Sequence, residues 1–66
     1  MDIPNPVFEE ACRLIGECCV MLAQNGEEIS RNRIALRLER VQESAITITG
    51  RPNDALCQAI DRLKGL

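Results

Sequence analysis

The residues best suited to chemistry or recognition are the arginines of the stretch NGEEISRNRIALRLER, residues 25–40. Arg33, Arg37 and Arg40 recur at spacings of four and three residues, which places them on one side of a helix. A stripe of guanidinium groups suits two kinds of partner, the phosphates of a nucleic acid and the carboxylates of another protein. The surrounding sequence therefore has to distinguish these two partners.

A DNA-recognition helix needs basic and amide side chains near its N-terminus, where they reach the edges of bases. Arg31, Asn32 and Arg33 satisfy this requirement, and Arg37 lies one turn further on. A small helix-turn-helix-like DNA-binding regulator is therefore one hypothesis. Against it, the chain has a net charge of −2 and no set of lysines around the arginines. The preferred interpretation is that Arg33, Arg37 and Arg40 form the rim of a surface that binds a partner protein.

The cysteines raise the question of a metal site or a disulfide. The chain has no histidine and no Cys-x-x-Cys pair, so a zinc ion would need all four thiolates. Two of them are adjacent, and adjacent residues diverge by about 100° around a helix. We therefore expect small, buried, apolar side chains, without a metal or another cofactor, at Cys12, Cys18, Cys19 and Cys57.

General acid–base catalysis has few candidate residues in this chain. Histidine is absent, and no glycine-rich phosphate loop is found. The carboxylate pairs Glu9–Glu10 and Glu27–Glu28 consist of adjacent residues whose side chains diverge, and they are more typical of a solvated acidic surface. We expect a protein that is not an enzyme.

Three helices are predicted to position these side chains, over about residues 6–24, 30–44 and 53–64 of one small all-α domain that spans residues 1–66. Apolar residues recur at steps of three and four in each of them. The segment AITITG, residues 45–50, instead alternates apolar and β-branched polar residues. We expect an extended connector there, which a second copy of the chain could pair with.

Cap residues mark the helix ends. Asn5 followed by a proline, and later Ser30, are suited to begin the first two helices, and Asn53 or Asp54 begins the third. Gly26 is suited to end the first helix in the left-handed conformation.

The apolar run at residues 18–23 is apolar on every side of its helix, and a chain of 66 residues can hardly surround it. We therefore predict an intertwined helical homodimer. Residues 1–29 carry a charge of −5 and residues 30–43 a charge of +2, which also suits self-association. The predicted dimer interface consists of Ile15, Cys18, Cys19, Met21, Leu22, Leu38 and Val41.

The start of the chain is acidic and contains prolines, unlike a secretory signal peptide. The run at residues 18–23 is also far too short to cross a bilayer. We expect a cytoplasmic protein of bacterial type, with no membrane partner.

The segment LIGECCVMLAQNGEEISRNRIALRLERVQE, residues 14–43, joins an apolar helix that ends at a glycine turn to an Ile-Ser-Arg helix start and an Ile-x-Leu-x-Leu-Glu run. This pattern resembles the YmgB/AriR-type biofilm-development regulators, also called two-component-system connector proteins. The resemblance implies a small all-α homodimer that modulates biofilm or stress signalling by binding a regulator protein, such as the response regulator of a phosphorelay. It also implies that DNA is a possible ligand.

The function expected from these observations is that of a small regulatory protein–protein interaction module. Two alternatives have the same overall shape, a phage- or plasmid-type inhibitor and a secretion chaperone that covers a host or cargo protein. The DNA-binding regulator is the third alternative.

Overall fold

The computed structural model describes residues 5–65, which form three α-helices and no strand. Helix α1 spans Pro6–Gln24, α2 spans Arg31–Thr49 and α3 spans Asp54–Lys64. The predicted all-α, three-helix domain is confirmed over this range. The first four residues and the last residue of the predicted domain lie outside it.

Each helix begins at one of the predicted cap residues. Asn5 accepts hydrogen bonds from two backbone N–H groups in the first turn of α1. Ser30 Oγ accepts from the Arg33 N–H at 3.1 Å, and Asn53 Oδ1 accepts from the Leu56 N–H at 3.0 Å. Such a cap stabilises a helix by about 1 kcal/mol, because it satisfies a backbone donor that has no partner in the helix.

The turn after α1 closes through backbone hydrogen bonds. Gly26 has a φ of 70°, and its N–H donates to the Ala23 carbonyl at 3.1 Å. The Glu27 N–H donates to the Leu22 carbonyl at 2.9 Å. This pair of bonds is a Schellman motif, which ends the helix and turns the chain back towards α2.

The expected extended connector after residue 44 is wrong, since α2 continues through the AITIT segment to Thr49. The hydroxyl of Thr47 donates to the Glu43 carbonyl at 3.0 Å, and that of Thr49 donates to the Ala45 carbonyl at 2.7 Å. Threonine hydroxyls can bond the carbonyl four residues earlier, so β-branched residues are compatible with a helix there. Gly50, with a φ of 85°, ends α2 in the left-handed conformation.

The core lies where α3 packs against both α1 and α2, and these two contacts are more extensive than the contact between α1 and α2. Leu22 and Ala59 are completely buried. The molecule measures 37 × 34 × 21 Å, so its thinnest dimension is about two helix diameters. Two layers of helix leave one side of the α1–α2 pair open to solvent. The buried cluster consists of Ala11, Cys18, Leu22, Ile34, Leu38, Leu56 and Ala59.

No helix in the described part of the chain is long and apolar enough to cross a membrane.

Candidate functional site

The arginine face, defined as Arg33, Arg37 and Arg40, lies on one side of α2, as its spacing predicts. Arg33 Nη1 lies 3.5 Å from Glu27 Oε1, and Arg37 Nη2 lies 3.3 Å from Glu27 Oε2. One carboxylate therefore bridges two guanidinium groups. Arg40 is exposed and makes no salt bridge within residues 5–65. Leu36, which is 49% exposed, borders the same depression as the three arginines.

The sequence predicts that Glu27 and Glu28 belong to a solvated acidic surface, and it does not reveal that Glu27 pairs with the arginine face. The Schellman turn places Glu27 immediately after α1, and the Ser30 cap returns the chain so that the first turns of α2 lie beside it. The turn signals in the sequence were sufficient to predict where the chain reverses, but not which arginines the carboxylate meets after it does.

The two salt bridges of Glu27 are weak interactions. The side chain of Glu27 is 35% exposed, and those of Arg33 and Arg37 are 48% and 33% exposed. Pairs of this kind contribute about 0–1 kcal/mol, because water and salt screen the charges. Glu27 therefore lowers the positive potential of the arginine face without holding the guanidinium groups tightly, and a carboxylate on another molecule can replace it.

The residues that favour a nucleic-acid ligand lie at the start of the same helix. Arg31 and Asn32 are exposed in the first turn of α2, next to Arg33. However, a phosphate that approached Arg33 would also meet the carboxylate of Glu27, and Glu28 is exposed in the preceding turn. This mixture of charges fits the surface of a protein better than a polyphosphate backbone.

A second surface, the apolar groove, runs between α1 and α2. Its floor contains Cys18 and Leu38, which are 4% and 3% exposed. Met21 and Val41, which are 48% and 44% exposed, stand at its edges. The complete lining is Leu14, Glu17, Cys18, Met21, Arg37, Leu38 and Val41.

Some residues of the predicted dimer interface line the groove, and others belong to the core of the single chain. Leu22 is completely buried within the single chain, so it is not available as a contact surface, and the prediction is corrected at this position. Ile15 and Cys19 are partly buried and pack against the core. Periodicity identified all of these residues as apolar and inward-facing, but it did not show that α3 of the same chain covers some of them.

Gln42 is a structural residue that sequence reasoning did not single out. It is 8% exposed and lies four residues after Leu38 on the inner side of α2. Its Nε2 donates to the Asn53 carbonyl at 3.0 Å, and its Oε1 accepts from the Asn53 N–H at 2.8 Å. Nε2 also lies 3.0 Å from Cys57 Sγ. The amide therefore joins α2 to the first turn of α3, and the four-residue spacing from Leu38 was the available signal.

The cysteines are all free thiols, and they differ in exposure. The expectation of buried cysteines is wrong at Cys12 and Cys57, which are exposed because they lie on the outer sides of their helices, whereas Cys18 is buried and Cys19 is partly buried. Burial, followed by the proximity of Cys19, raises the pKa of the Cys18 thiol above its ordinary value. Within residues 5–65 no group of three or more His, Cys, Asp or Glu side chains is placed to hold a metal ion.

Comparison with protein-family models, with curated proteins and with solved structures finds no match to this chain. The resemblance of residues 14–43 to the connector proteins therefore stays a hypothesis.

Proposed function

We propose that this chain is a small regulatory protein–protein interaction module that acts as a homodimer in the bacterial cytoplasm. The observation that carries the proposal is the arginine face, where three guanidinium groups lie beside an exposed leucine and, within residues 5–65, only one carboxylate partly neutralises them. Arginines around an apolar side chain are characteristic of protein interfaces. The four free thiols also fit a reducing compartment.

The partner proposed for the arginine face is a protein with an acidic patch. Carboxylates of the partner would replace Glu27 beside Arg33, while Arg40 would pair without displacing any group within residues 5–65. A regulator such as a phosphorelay response regulator is the partner type that the resemblance to connector proteins implies. If the partner were instead a host enzyme or a secreted cargo protein, the chain would be an inhibitor or a chaperone that uses the same surface.

The test compares a variant of the arginine face with a matched variant elsewhere. Arg33→Glu combined with Arg40→Glu reverses two charges of the face, and Arg51→Glu reverses an exposed arginine in the turn between α2 and α3. Proteins captured from native lysate by the unmutated chain and by Arg51→Glu are identified, purified and titrated against all three chains. We expect the double variant to associate at least about tenfold more slowly and with a weaker dependence on salt, because long-range attraction is removed.

The nucleic-acid alternative predicts a different result. Labelled DNA duplexes would bind with submicromolar affinity, and removal of each arginine would reduce the salt slope by about one unit. Such binding, or a protein partner that associates equally well with the double variant, would refute the proposed role of the arginine face. Far-UV circular dichroism of each variant establishes that the helices are intact.

A further inference from the structure

The apolar groove is a mainly apolar surface that lies between two helices and is left open by the described chain. The third helix packs against both α1 and α2 but contributes no residue to the lining of the groove, which stays open within residues 5–65. Met21 and Val41 at its edges each expose nearly half of their surface. A chain this short buries little apolar surface in its own core, and side chains that stay exposed decrease that buried surface further.

The α1 wall of the groove continues outwards over a flat apolar surface. Gly16 and Val20 lie beside Glu17 and Met21 there, and Val20 is 56% exposed. A Cβ atom added to Gly16 would have nothing within 4 Å, so no neighbour among residues 5–65 requires a glycine at this position. A glycine within a helix costs about 1 kcal/mol relative to alanine, and the close approach of another helix is one physical reason to retain it.

Two charged residues distinguish the two walls of the groove. Glu17 belongs to the α1 wall and Arg37 to the α2 wall. Within residues 5–65 Glu17 makes no salt bridge of its own, since its neighbour Arg13 pairs with Glu10 at 2.7 Å. The α1 wall therefore presents a negative charge. The α2 wall presents Arg37, which shares the single carboxylate of Glu27 with Arg33, so a net positive charge remains there.

This arrangement is self-complementary. A two-fold axis that runs along the groove, in the plane of contact, places the α1 wall of each copy on the α2 wall of the other copy. Each Glu17 then meets an arginine, and each apolar edge meets an apolar edge. A foreign helix would need to supply both charges in the same positions, whereas a second copy of the chain supplies them by symmetry.

We propose that the apolar groove is the homodimer interface, in which α1 of each copy packs on α2 of the other and Glu17 pairs with Arg37 of the partner subunit. The inference rests on the homodimer in the proposed function and names the surface and the charge pairs that form it. It also divides the arginine face, because Arg37 lines both depressions and pairs within the dimer, whereas Arg33 and Arg40 remain available to the partner protein.

The experiment is a charge-reversal cycle followed by sedimentation equilibrium. Glu17→Arg leaves an arginine opposite Arg37 of the partner subunit, and Arg37→Glu leaves a glutamate opposite Glu17 of the partner subunit. Like charges then meet twice in each symmetric dimer. We expect each single variant to dimerise at least about tenfold more weakly than the unmutated chain.

Mixing the two single variants provides the decisive measurement. In a heterodimer of Glu17→Arg with Arg37→Glu, both contacts again join opposite charges, so we expect dimers to reappear and native mass spectrometry to show mostly one chain of each kind. Arg51→Glu and Glu43→Arg reverse exposed charges outside the groove and should leave dimerisation unchanged.

Three results would overturn the inference: an unmutated chain that is monomeric at micromolar concentration, a Glu17→Arg variant that dimerises normally, or a mixture in which no heterodimer forms. If Arg37→Glu does not fold alone, the chain that carries both reversals replaces the mixture, and its failure to dimerise contradicts the pairing. Capture of a partner protein that depends on Arg33 and Arg40 is measured separately, so loss of one proposal is distinguishable from loss of the other.

Discussion

The amide of Gln42 allows a quantitative test of how α3 is held on α2. Replacement of Gln42 by leucine keeps most of the buried volume but removes the donor and the acceptor that meet Asn53 at 3.0 Å and 2.8 Å. The Asn53 carbonyl keeps a second donor, the Cys57 N–H at 3.0 Å. The substitution therefore mainly leaves the Asn53 N–H without its acceptor. We expect this loss to lower the free energy of unfolding by about 1–2 kcal/mol.

Replacement of Gln42 by alanine should cost more than replacement by leucine. Alanine also removes the buried Cγ methylene, which contributes about 0.8 kcal/mol, and leaves a cavity in place of the amide, which adds to the loss. The expected total is about 3 kcal/mol, against a stability of about 3–10 kcal/mol for a domain of this length. Gln42→Ala should accordingly be close to unfolded at room temperature or should melt far below the unmutated chain.

The assay is urea unfolding followed by far-UV circular dichroism, with all chains at one fixed concentration because the proposed dimerisation would add to the apparent stability. Gln24→Leu is the matched control, since Gln24 is exposed at the end of α1, and a surface change there should shift the free energy of unfolding by less than about 0.5 kcal/mol. If Gln42→Leu is as stable as the unmutated chain, the amide does not hold the two helices together and the reasoning fails.

Two further predictions concern glycine and cysteine residues. Gly16→Ala should raise the free energy of unfolding of the monomer by about 0.5–1 kcal/mol, since the added Cβ meets no atom. Gly50→Ala should lower it by about 1 kcal/mol, because an L-residue is strained at a φ of 85°. Urea titrations at low protein concentration measure both changes, and equal shifts would contradict the argument. Alkylation at pH 8 should modify Cys12 and Cys57 rapidly and Cys18 only as fast as the chain unfolds, because burial raises the pKa of Cys18 and keeps it a thiol. Because the pKa of Cys18 is raised in the folded state, the contribution of this thiol to stability is complete below the ordinary thiol pKa of about 8.5. It is lost as the pH rises through the pKa of the folded state. Rapid labelling of Cys18 in the folded protein would contradict its burial.

The arginine face could be predicted in part. The spacing of Arg33, Arg37 and Arg40 determines that they share one side of α2, whatever the rest of the chain does. The position of Glu27 between two of them depends on how the turn after α1 closes, because a contact across ten residues of sequence is set by the turn geometry and not by helical periodicity.

The sequence by itself determined the number of helices and where each one begins. Asn5, Ser30 and Asn53 act locally, through bonds to backbone groups two or three residues away, so no tertiary contact is needed to recognise them. The glycine turn after α1 is equally local, since its left-handed conformation is accessible to few other residues.

The tertiary structure decided which apolar residues the chain covers for itself and where α2 ends. Periodicity shows that Leu22 faces inwards, but only the packing of α3 shows that a helix of the same chain buries it. Alternating isoleucines and threonines are compatible with either a strand or a helix. An extended backbone would need a second strand to bond, and the described chain contains none. The helix therefore continues through these residues to a glycine cap at Gly50. Burial of Gln42 likewise depends on the approach of the α3 N-terminus, which supplies the only backbone groups that its amide bonds within residues 5–65.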